Sequence, residues 1–219
     1  MNLFIFGLGY SVGYFARSRR ASFASICGTS RDAARLAALA GEGVNALHFD
    51  GARVDPLLAQ SLAQSDAMLA SIPPDGDADP VLRAFRTEIA AAPLLRKIIY
   101  LSTIGVYGDY DGAWVDEASA TRPGSARNKA RIGVEQQWLA LGRDTGKTVS
   151  ILRLAGIYGP GQNVLEKLRE GAAQTSSNPA KCSTASMSRI LRGRLARPWP
   201  ARMPAYLMSP TTSRRRRRT

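Results

Sequence analysis

The chain has 219 residues, of which 45% are hydrophobic, so it can bury the core of one domain and is not disordered throughout. Its formal net charge is +13. Eleven of its 30 lysines and arginines, but none of its acidic residues, lie in residues 174–219, so the rest of the chain is nearly neutral. The excess charge belongs to a tail, and we expect no specific nucleic-acid binding by the body.

The cysteine content and the start of the chain indicate where the protein works. Cys27 and Cys182 are too few for a disulfide framework and suit a reducing compartment, which predicts a cytoplasmic protein. The apolar residues 1–6 run directly into glycines without a basic region before them, which is typical of a first strand and not of a signal peptide. No apolar run is long enough to span a membrane, and we expect no metal site.

Apolar runs and helical patterns alternate from residue 3 to residue 163. We predict strands at residues 3–6, 23–27, 45–49, 67–72, 97–102 and 148–154, and helices that include residues 31–39 and 126–141. This alternation is typical of an α/β fold, a Rossmann-type doubly wound parallel sheet. Residues 1–173 then form one domain of this type, and residues 174–219 form a basic tail whose composition predicts disorder.

A glycine-rich turn follows the first predicted strand. Residues 7–13 read GLGYSVG and lead into a helical pattern, so Gly7, Gly9 and Gly13 are spaced as GxGxxxG. Glycines after a first strand permit a tight turn, let the backbone approach a pyrophosphate and allow close packing of helix on strand. We expect Gly7, Gly9, Tyr10 and Gly13 to bind a dinucleotide. A purely structural turn is the alternative.

Polar residues after the next strands indicate which dinucleotide. Ser30 and Arg31 follow the second strand, where a hydroxyl and an arginine suit the 2′-phosphate of NADP, so NADP is favoured over NAD. The alternative is that Ser30 caps the next helix and Arg31 is a solvated residue of its first turn. Asp50, after the third strand, either accepts a hydrogen bond from the adenine amino group or is a surface residue. Ser71 ends the fourth strand in a loop expected to line the cofactor.

Two further segments resemble a known family. IYLSTIGVYG at residues 99–108 and RLAGIYGPG at residues 153–161 resemble motifs of the extended short-chain dehydrogenase/reductases, the NAD-dependent epimerase/dehydratase family. The resemblance covers about residues 1–172. GLGY, GTSR and SIPP, after the first, second and fourth strands, are most similar to an atypical epimerase-like branch.

The resemblance implies an NAD(P)-dependent oxidoreductase or epimerase-like protein acting on a carbonyl or nucleotide-sugar substrate. Thr103 stands where the family has the Ser or Thr that bonds the substrate oxygen. The family's YxxxK pair is missing. In one register the residue four positions before Lys129 is Ser125, and in the other the residue four positions before Arg131 is Arg127. Arg131 can replace the charge of the lysine, but a guanidinium is no general acid or base.

The absence of that tyrosine leaves an alternative open, a non-catalytic NAD(P)-binding sensor or scaffold. The single histidine, His48, ends the third strand on the adenine side and is not expected to replace the tyrosine. Family members often pair through helices beside the sheet, so the helix at residues 126–141 is a candidate homodimer face.

The tail departs from the family and has the character of a frameshift product. Read one frame over, with free choice of synonymous third bases, residues 175–191 become IVKPGQVFNRIHVEDI and residues 207–219 become NV(T/A)DDEPAPPQD. Both pieces resemble what the family carries after the sixth strand, in the same frame and order. We therefore interpret the C-terminal substrate region as missing or scrambled by a one-nucleotide shift near residues 173–175.

Overall fold

The computed structural model describes residues 1–160, residues 162 and 169, and the backbone of residues 185–187. In chain order the strands and helices are β1 Asn2–Phe6, α1 Tyr10–Arg19, β2 Ser25–Ser30, α2 Ala33–Gly41, β3 Asn45–His48, α3 Pro56–Ala63, β4 Ala67–Ala70, α4 Pro80–Ala91, β5 Lys97–Thr103, α5 Ala126–Thr145, β6 Thr148–Leu154, β7 Gly156–Tyr158 and β8 Ala185–Met187. Short 3-10 helices follow α1 at Arg20–Ser22 and β5 at Ile104–Tyr107.

Six strands form one sheet in the order β3-β2-β1-β4-β5-β6, and every neighbouring pair is parallel. The order reverses between β1 and β4, which makes this the switch point where ligands of doubly wound sheets bind, outside the carboxyl ends of the strands. The predicted Rossmann-type fold is therefore confirmed.

The alternation of side chains along the strands divides the core into two layers. Phe4, Met68, Ile98 and Tyr100 face the helices α3, α4 and α5. The largest fully buried side chain in this layer is that of Trp138. The opposite layer covers the other face of the sheet with α1 and α2 and contains Leu3, Ile5, Leu69, Ile99, Val12, Phe15 and Leu39. Both faces are buried, which explains why the strands read as short continuous apolar runs.

Several predicted bounds differ from the structure, among them those of the second strand and of the two predicted helices. The second strand runs over Ser25–Ser30, not residues 23–27, and Gly28, Thr29 and Ser30 belong to it. The next helix begins at Ala33, not at Arg31, because the Asp32 carboxylate accepts hydrogen bonds from the backbone N–H groups of Ala34 and Arg35. The last predicted helix extends to Thr145, where Gly146 ends it in the left-handed conformation with φ 68°.

The small strands β7 and β8 form a separate parallel pair, in which Ile157 is opposite Ser186. Apart from the backbone of residues 185–187, the predicted basic tail at residues 174–219, with Cys182, lies outside the described residues. None of the helices among the described residues is long and apolar enough to cross a membrane.

Candidate cofactor and active site

The glycine turn is built around a close approach of two loops. Gly7 has φ 90°, and a Cβ there would lie 2.8 Å from Ser71 Oγ and 2.9 Å from Ile72 Cγ1. The Ser71 hydroxyl donates to the Gly7 carbonyl at 2.5 Å, and the Ser71 N–H donates to the Phe6 carbonyl at 2.9 Å. Ser71 therefore ties the loop after β4 to the turn after β1, and only glycine fits at position 7.

The other side of the turn is held by two residues that the sequence interpretation missed. The Thr29 hydroxyl accepts from the Gly7 N–H at 3.0 Å, and the Thr29 carbonyl accepts from the Leu8 N–H at 2.7 Å. Leu8 packs directly over Gly28, where a Cβ would lie only 2.6 Å from the Leu8 side chain. The GT pair in GTSR was the available signal, since a glycine inside a strand often marks a close approach.

The start of α1 is suited to an anion. Gly9 is its N-cap, no side chain caps it, and no acidic residue lies in its first turn. A Cβ on Gly9 would meet no atom within 4 Å, and Gly9 itself is exposed. The free N–H groups and the positive end of the helix dipole therefore face open space that fits a pyrophosphate.

A cleft of about 290 Å³ opens at the carboxyl ends of β1, β4 and β5. It brings together five of the predicted site residues, and its lining includes Gly9, Tyr10, Ser71, Thr103 and Arg131. The Tyr10 hydroxyl donates to the Pro160 carbonyl at 2.8 Å, so the first residue of α1 is linked to the turn that follows β7. Gly7, Gly13, Ser30, Arg31 and Asp50 do not line this cleft.

Ser30 and Arg31 lie at the carboxyl end of β2, on the β3 side of the glycine turn. The Ser30 hydroxyl accepts from the Asp32 N–H at 3.1 Å, and Arg31 is exposed. Asp32 is the nearby acid that could bind a ribose 2′-hydroxyl, but its carboxylate caps α2. The alternative that Ser30 caps the helix is wrong, since Asp32 does so.

The residues at the edge strand are solvent-facing. Asp50 follows β3, and its carboxylate accepts from the Ala52 N–H at 2.9 Å. Its side chain is exposed at the same sheet edge as the carboxyl end of β2. His48 is exposed on β3, the outermost strand, whereas Thr103 lies on β5, and three other strands separate β3 from β5 in the sheet. The structure therefore gives His48 no place in the cleft.

Thr103 is the last residue of β5 and half-buried in the cleft. Its Oγ1 accepts from the Gly105 N–H at 3.1 Å, which starts the 3-10 helix at Ile104–Tyr107. The Asn128 side chain donates to the Gly105 carbonyl at 2.8 Å and secures the same loop from α5. The Thr103 hydroxyl is therefore placed by two neighbouring elements.

The register of α5 is decided by burial. Arg131 is 9% exposed and lines the cleft, whereas Lys129 and Arg127 are exposed. The Arg131 guanidinium donates to the Tyr100 hydroxyl at 3.0 Å and to the Leu101 carbonyl at 3.1 Å. Arg131 and not Lys129 thus faces the cleft, and Arg127 precedes it by one helical turn.

Beneath the cleft lies a buried polar network. Glu135 accepts from the Ser102 hydroxyl at 2.5 Å and forms a bidentate ion pair with Arg153, at 3.1 and 2.6 Å. The Arg153 guanidinium stacks over the Tyr107 ring at 4.7 Å. Burial raises the pKa of Tyr107, which Arg153 only partly offsets, so this phenol is a poor proton donor or acceptor at neutral pH.

The chain is similar to the solved structure of a functionally unknown conserved protein from Silicibacter pomeroyi. It is 35% identical, with a TM-score of 0.78, and the match covers 91% of this chain and 70% of that one. At 35% identity over most of its length, this chain is related to that protein, whose function is not known. No protein-family model matches the sequence, and no curated protein matches it either.

Solved nucleotide-sugar dehydratases and epimerases show the same fold at lower identity. TunA, an NAD-dependent NDP-hexosamine 5,6-dehydratase involved in tunicamycin biosynthesis, is 18% identical with a TM-score of 0.71, over 94% of this chain and 74% of that one. UDP-glucuronic acid 4-epimerase from Bacillus cereus, solved with UDP-glucuronic acid and NAD, is 17% identical with a TM-score of 0.66, over 88% and 71%.

Proposed function

We propose that this chain is a member of the NAD-dependent epimerase/dehydratase family, an NAD(P)-dependent oxidoreductase or epimerase-like protein that prefers NADP and acts on a carbonyl or nucleotide-sugar substrate. The observation that carries the proposal is the cleft itself, which places the start of α1 opposite Thr103 and Arg131 at the switch point of the sheet. Relatives of the same fold were solved with NAD, which supports a nicotinamide dinucleotide here.

Each predicted residue has a role in this proposal. Gly9 and the N–H groups of α1 hold the pyrophosphate, Ser30 and Arg31 bind the 2′-phosphate, and Asp50 accepts from the adenine amino group. In an NAD site the acidic residue near the end of the second strand has its carboxylate available for the ribose 2′-hydroxyl. The acid at this place here is Asp32, and its carboxylate caps α2. This supports the preference for NADP.

The bound dinucleotide supplies the hydride chemistry, and the chain positions the substrate for it. Thr103 Oγ1 accepts from the Gly105 N–H, which leaves its proton for the oxygen of a substrate carbonyl or hydroxyl. Arg131 keeps a fixed positive charge beside the cleft because its guanidinium is held by Tyr100 and Leu101. That charge stabilises negative charge developing on the substrate oxygen and assists binding of the ribose.

The second candidate is a non-catalytic NAD(P)-binding sensor or scaffold. The observation that favours it is the exposed Arg127, one turn before Arg131, where the family has its tyrosine. A guanidinium cannot exchange a proton at neutral pH, so the usual acid/base step has no donor at this position.

Cofactor binding is tested by titrating NADPH and NADH into the full chain and following nicotinamide fluorescence. The proposal expects saturable binding with a preference for NADPH that Arg31→Ala removes. Arg86→Ala is the matched control, because Arg86 on α4 forms an exposed ion pair with Asp144 on α5 and neither residue is part of the proposed site. Folded protein that binds neither nucleotide contradicts the proposal and assigns the glycine turn a structural role alone.

Catalysis is tested by restoring the missing pair. Arg127→Tyr combined with Arg131→Lys recreates YxxxK on the face of α5 that borders the cleft. If the wild type binds NADPH but turns over no nucleotide sugar or carbonyl compound in a panel, while the double variant gains turnover, the wild type is a non-catalytic binder. Turnover by the wild type itself, lost in Thr103→Val, supports the enzyme.

The remaining predictions belong to the same proposal. The two-cysteine composition supports a cytoplasmic location, and α5 is the proposed homodimer face because Ile132, Leu139 and Ala140 on it are only half-buried. Sedimentation of the protein tests the dimer.

The shifted reading frame near residues 173–175 is supported by the two family-like decoded segments. Resequencing of the locus tests it, and confirmation of the printed frame in related genes would overturn it.

A further inference from the structure

The third glycine of the turn has an unexpected neighbour. In the spacing GxGxxxG, Gly13 lies on α1, and the nearest atom to a Cβ placed there is Arg35 Nη2 at 3.1 Å. The next are the Leu8 carbonyl at 3.7 Å and Arg17 Nη1 at 3.8 Å. The close packing of turn against strand is made elsewhere, by Leu8 on Gly28. Gly13 therefore makes room for a guanidinium from α2.

That guanidinium is not neutralised by the surrounding protein. Among the described residues Arg35 forms no ion pair, and its Nε is buried without a hydrogen-bond partner. Asp32, the acid closest in sequence, accepts from the N–H groups of Ala34 and Arg35 as the cap of α2. Arg17, by contrast, lies 3.7 Å from the Glu42 carboxylate. An unpaired buried donor on a cation is costly unless an anion binds there.

Arg35 also follows closely in the chain on the predicted 2′-phosphate residues. It stands in the first turn of α2, four residues after Arg31 at the carboxyl end of β2. Its guanidinium lies against α1, the helix whose start faces the open cleft. The two arginines thus flank the capped start of α2, one exposed and one seated against Gly13.

We propose that Arg35, seated against Gly13, is a second cationic ligand of the ribose 2′-phosphate and sets the preference for NADP together with Arg31. The inference rests on the proposed NADP site and adds two residues to it. The wider spacing of the third glycine then has a purpose, because a side chain at position 13 displaces the guanidinium. A phosphate held by Ser30, Arg31 and Arg35 would receive charge-assisted hydrogen bonds from two planar donors.

The test compares ligands that differ only in this phosphate. NADPH against NADH, and 2′,5′-ADP against 5′-AMP as competitors, are titrated into the wild type, Arg35→Gln, Gly13→Ala and the double variant. We expect each single variant to weaken NADPH and 2′,5′-ADP by about tenfold or more, and to change NADH and 5′-AMP by less than about twofold. The double variant is expected to lose no more than either single variant, because both disturb one guanidinium.

Two controls separate this role from a structural one. Arg35→Lys retains the charge without the planar fork and is expected to recover part of the NADPH preference. Arg17→Ala removes the neighbouring guanidinium, which is paired with Glu42, and is expected to leave the preference unchanged. Circular dichroism of each variant confirms folding, and Arg35→Lys still decides the question if Arg35→Gln does not fold.

The results distinguish failure of this inference from failure of the proposed function. If the wild type prefers NADPH and the Arg35 and Gly13 variants keep that preference, Arg35 is no phosphate ligand and the NADP proposal stands on Arg31. If the variants weaken NADH as much as NADPH, Arg35 is structural and the inference is overturned. A wild type that prefers NADH overturns the NADP proposal and this inference together.

Discussion

Glu135 on α5 and Arg153 on β6 form a bidentate ion pair beneath the cleft, with side chains only 2% and 5% exposed. The pair also binds the Ser102 hydroxyl on β5, so one carboxylate joins a helix to two neighbouring strands. The end of β5 and the residues after β6 line the cleft above the ion pair, which we call the floor of the cleft. We therefore expect the ion pair to fix the position of Thr103, the residue after Ser102.

Glu135→Gln is expected to lower the free energy of unfolding by about 3–5 kcal/mol, because it removes the carboxylate charge from a buried, bidentate ion pair. Urea denaturation measures the loss. Asp144→Asn is the matched control, since it removes the exposed Arg86–Asp144 pair, where the atoms are 3.7 Å apart, and is expected to cost about 1 kcal/mol or less. Equal losses in the two variants would show that the buried pair does not support the floor of the cleft.

The first two glycines are expected to differ in what they support. Gly7→Ala forces a Cβ into φ 90° and against Ser71, so it should lower the free energy of unfolding by about 1–3 kcal/mol. Gly9→Ala meets no protein atom within 4 Å and should change stability by about 1 kcal/mol or less, yet weaken dinucleotide binding because its Cβ fills the pyrophosphate space. Urea denaturation and fluorescence titration of both variants check this. Normal dinucleotide binding by Gly9→Ala would show that the pyrophosphate does not bind beside Gly9.

Thr103 is expected to act on turnover and not on cofactor binding. Thr103→Val keeps the shape but removes the hydroxyl, and should lower the single-turnover rate about 10²–10³-fold, as for loss of one donor to a developing oxyanion. Thr103→Ser keeps both the hydroxyl and its bond with the Gly105 N–H, so it is the conservative control. Unchanged turnover in Thr103→Val would exclude the hydroxyl as the polarising group.

Asp79 gives the fold a pH dependence. Burial raises the pKa of this carboxyl above its ordinary 3.8, while donors from Leu82 and Trp138 only partly offset the effect. The folded protein therefore holds this proton more tightly than the unfolded chain, and this group's contribution to stability falls as the pH rises from about 3.8 through the folded pKa.

Asp79→Asn does not titrate, so the stability of the variant relative to the wild type should increase across that pH interval. Urea midpoints of both proteins at a series of pH values measure the difference. A difference between Asp79→Asn and the wild type that is constant with pH would contradict the raised pKa.

The sheet could be predicted from the sequence because each central strand is a short apolar run. The second strand was placed two residues early, since Gly28 and Ser30, on either side of Thr29, have little strand propensity and are held in the strand by tertiary contacts. Gly28 is required under Leu8, and Thr29 holds the glycine turn. Such contacts between distant segments leave only a weak signal in the local pattern.

The floor of the cleft was missed for the same reason. Glu135 and Arg153 are 18 residues apart on a helix and a strand, and neither position alone indicates a partner. The available signal was the charged Arg153 inside the apolar strand Thr148–Leu154, because a buried arginine requires a counter-ion. The choice between Lys129 and Arg131 likewise depended on which face of α5 turns inward, and burial decided it for Arg131.

The order of strands in the sheet has a consequence for synthesis on the ribosome. The sixth strand closes the sheet at Leu154, and the glycine turn, the proposed phosphate ligands, Thr103 and Arg131 all precede it in the chain. Since domains fold as units and N-terminal parts emerge first, this half of the chain can form before the remaining residues are translated. Sequence changes after Pro160 can therefore alter the surroundings of the cleft while the elements proposed to hold the dinucleotide stay unaltered.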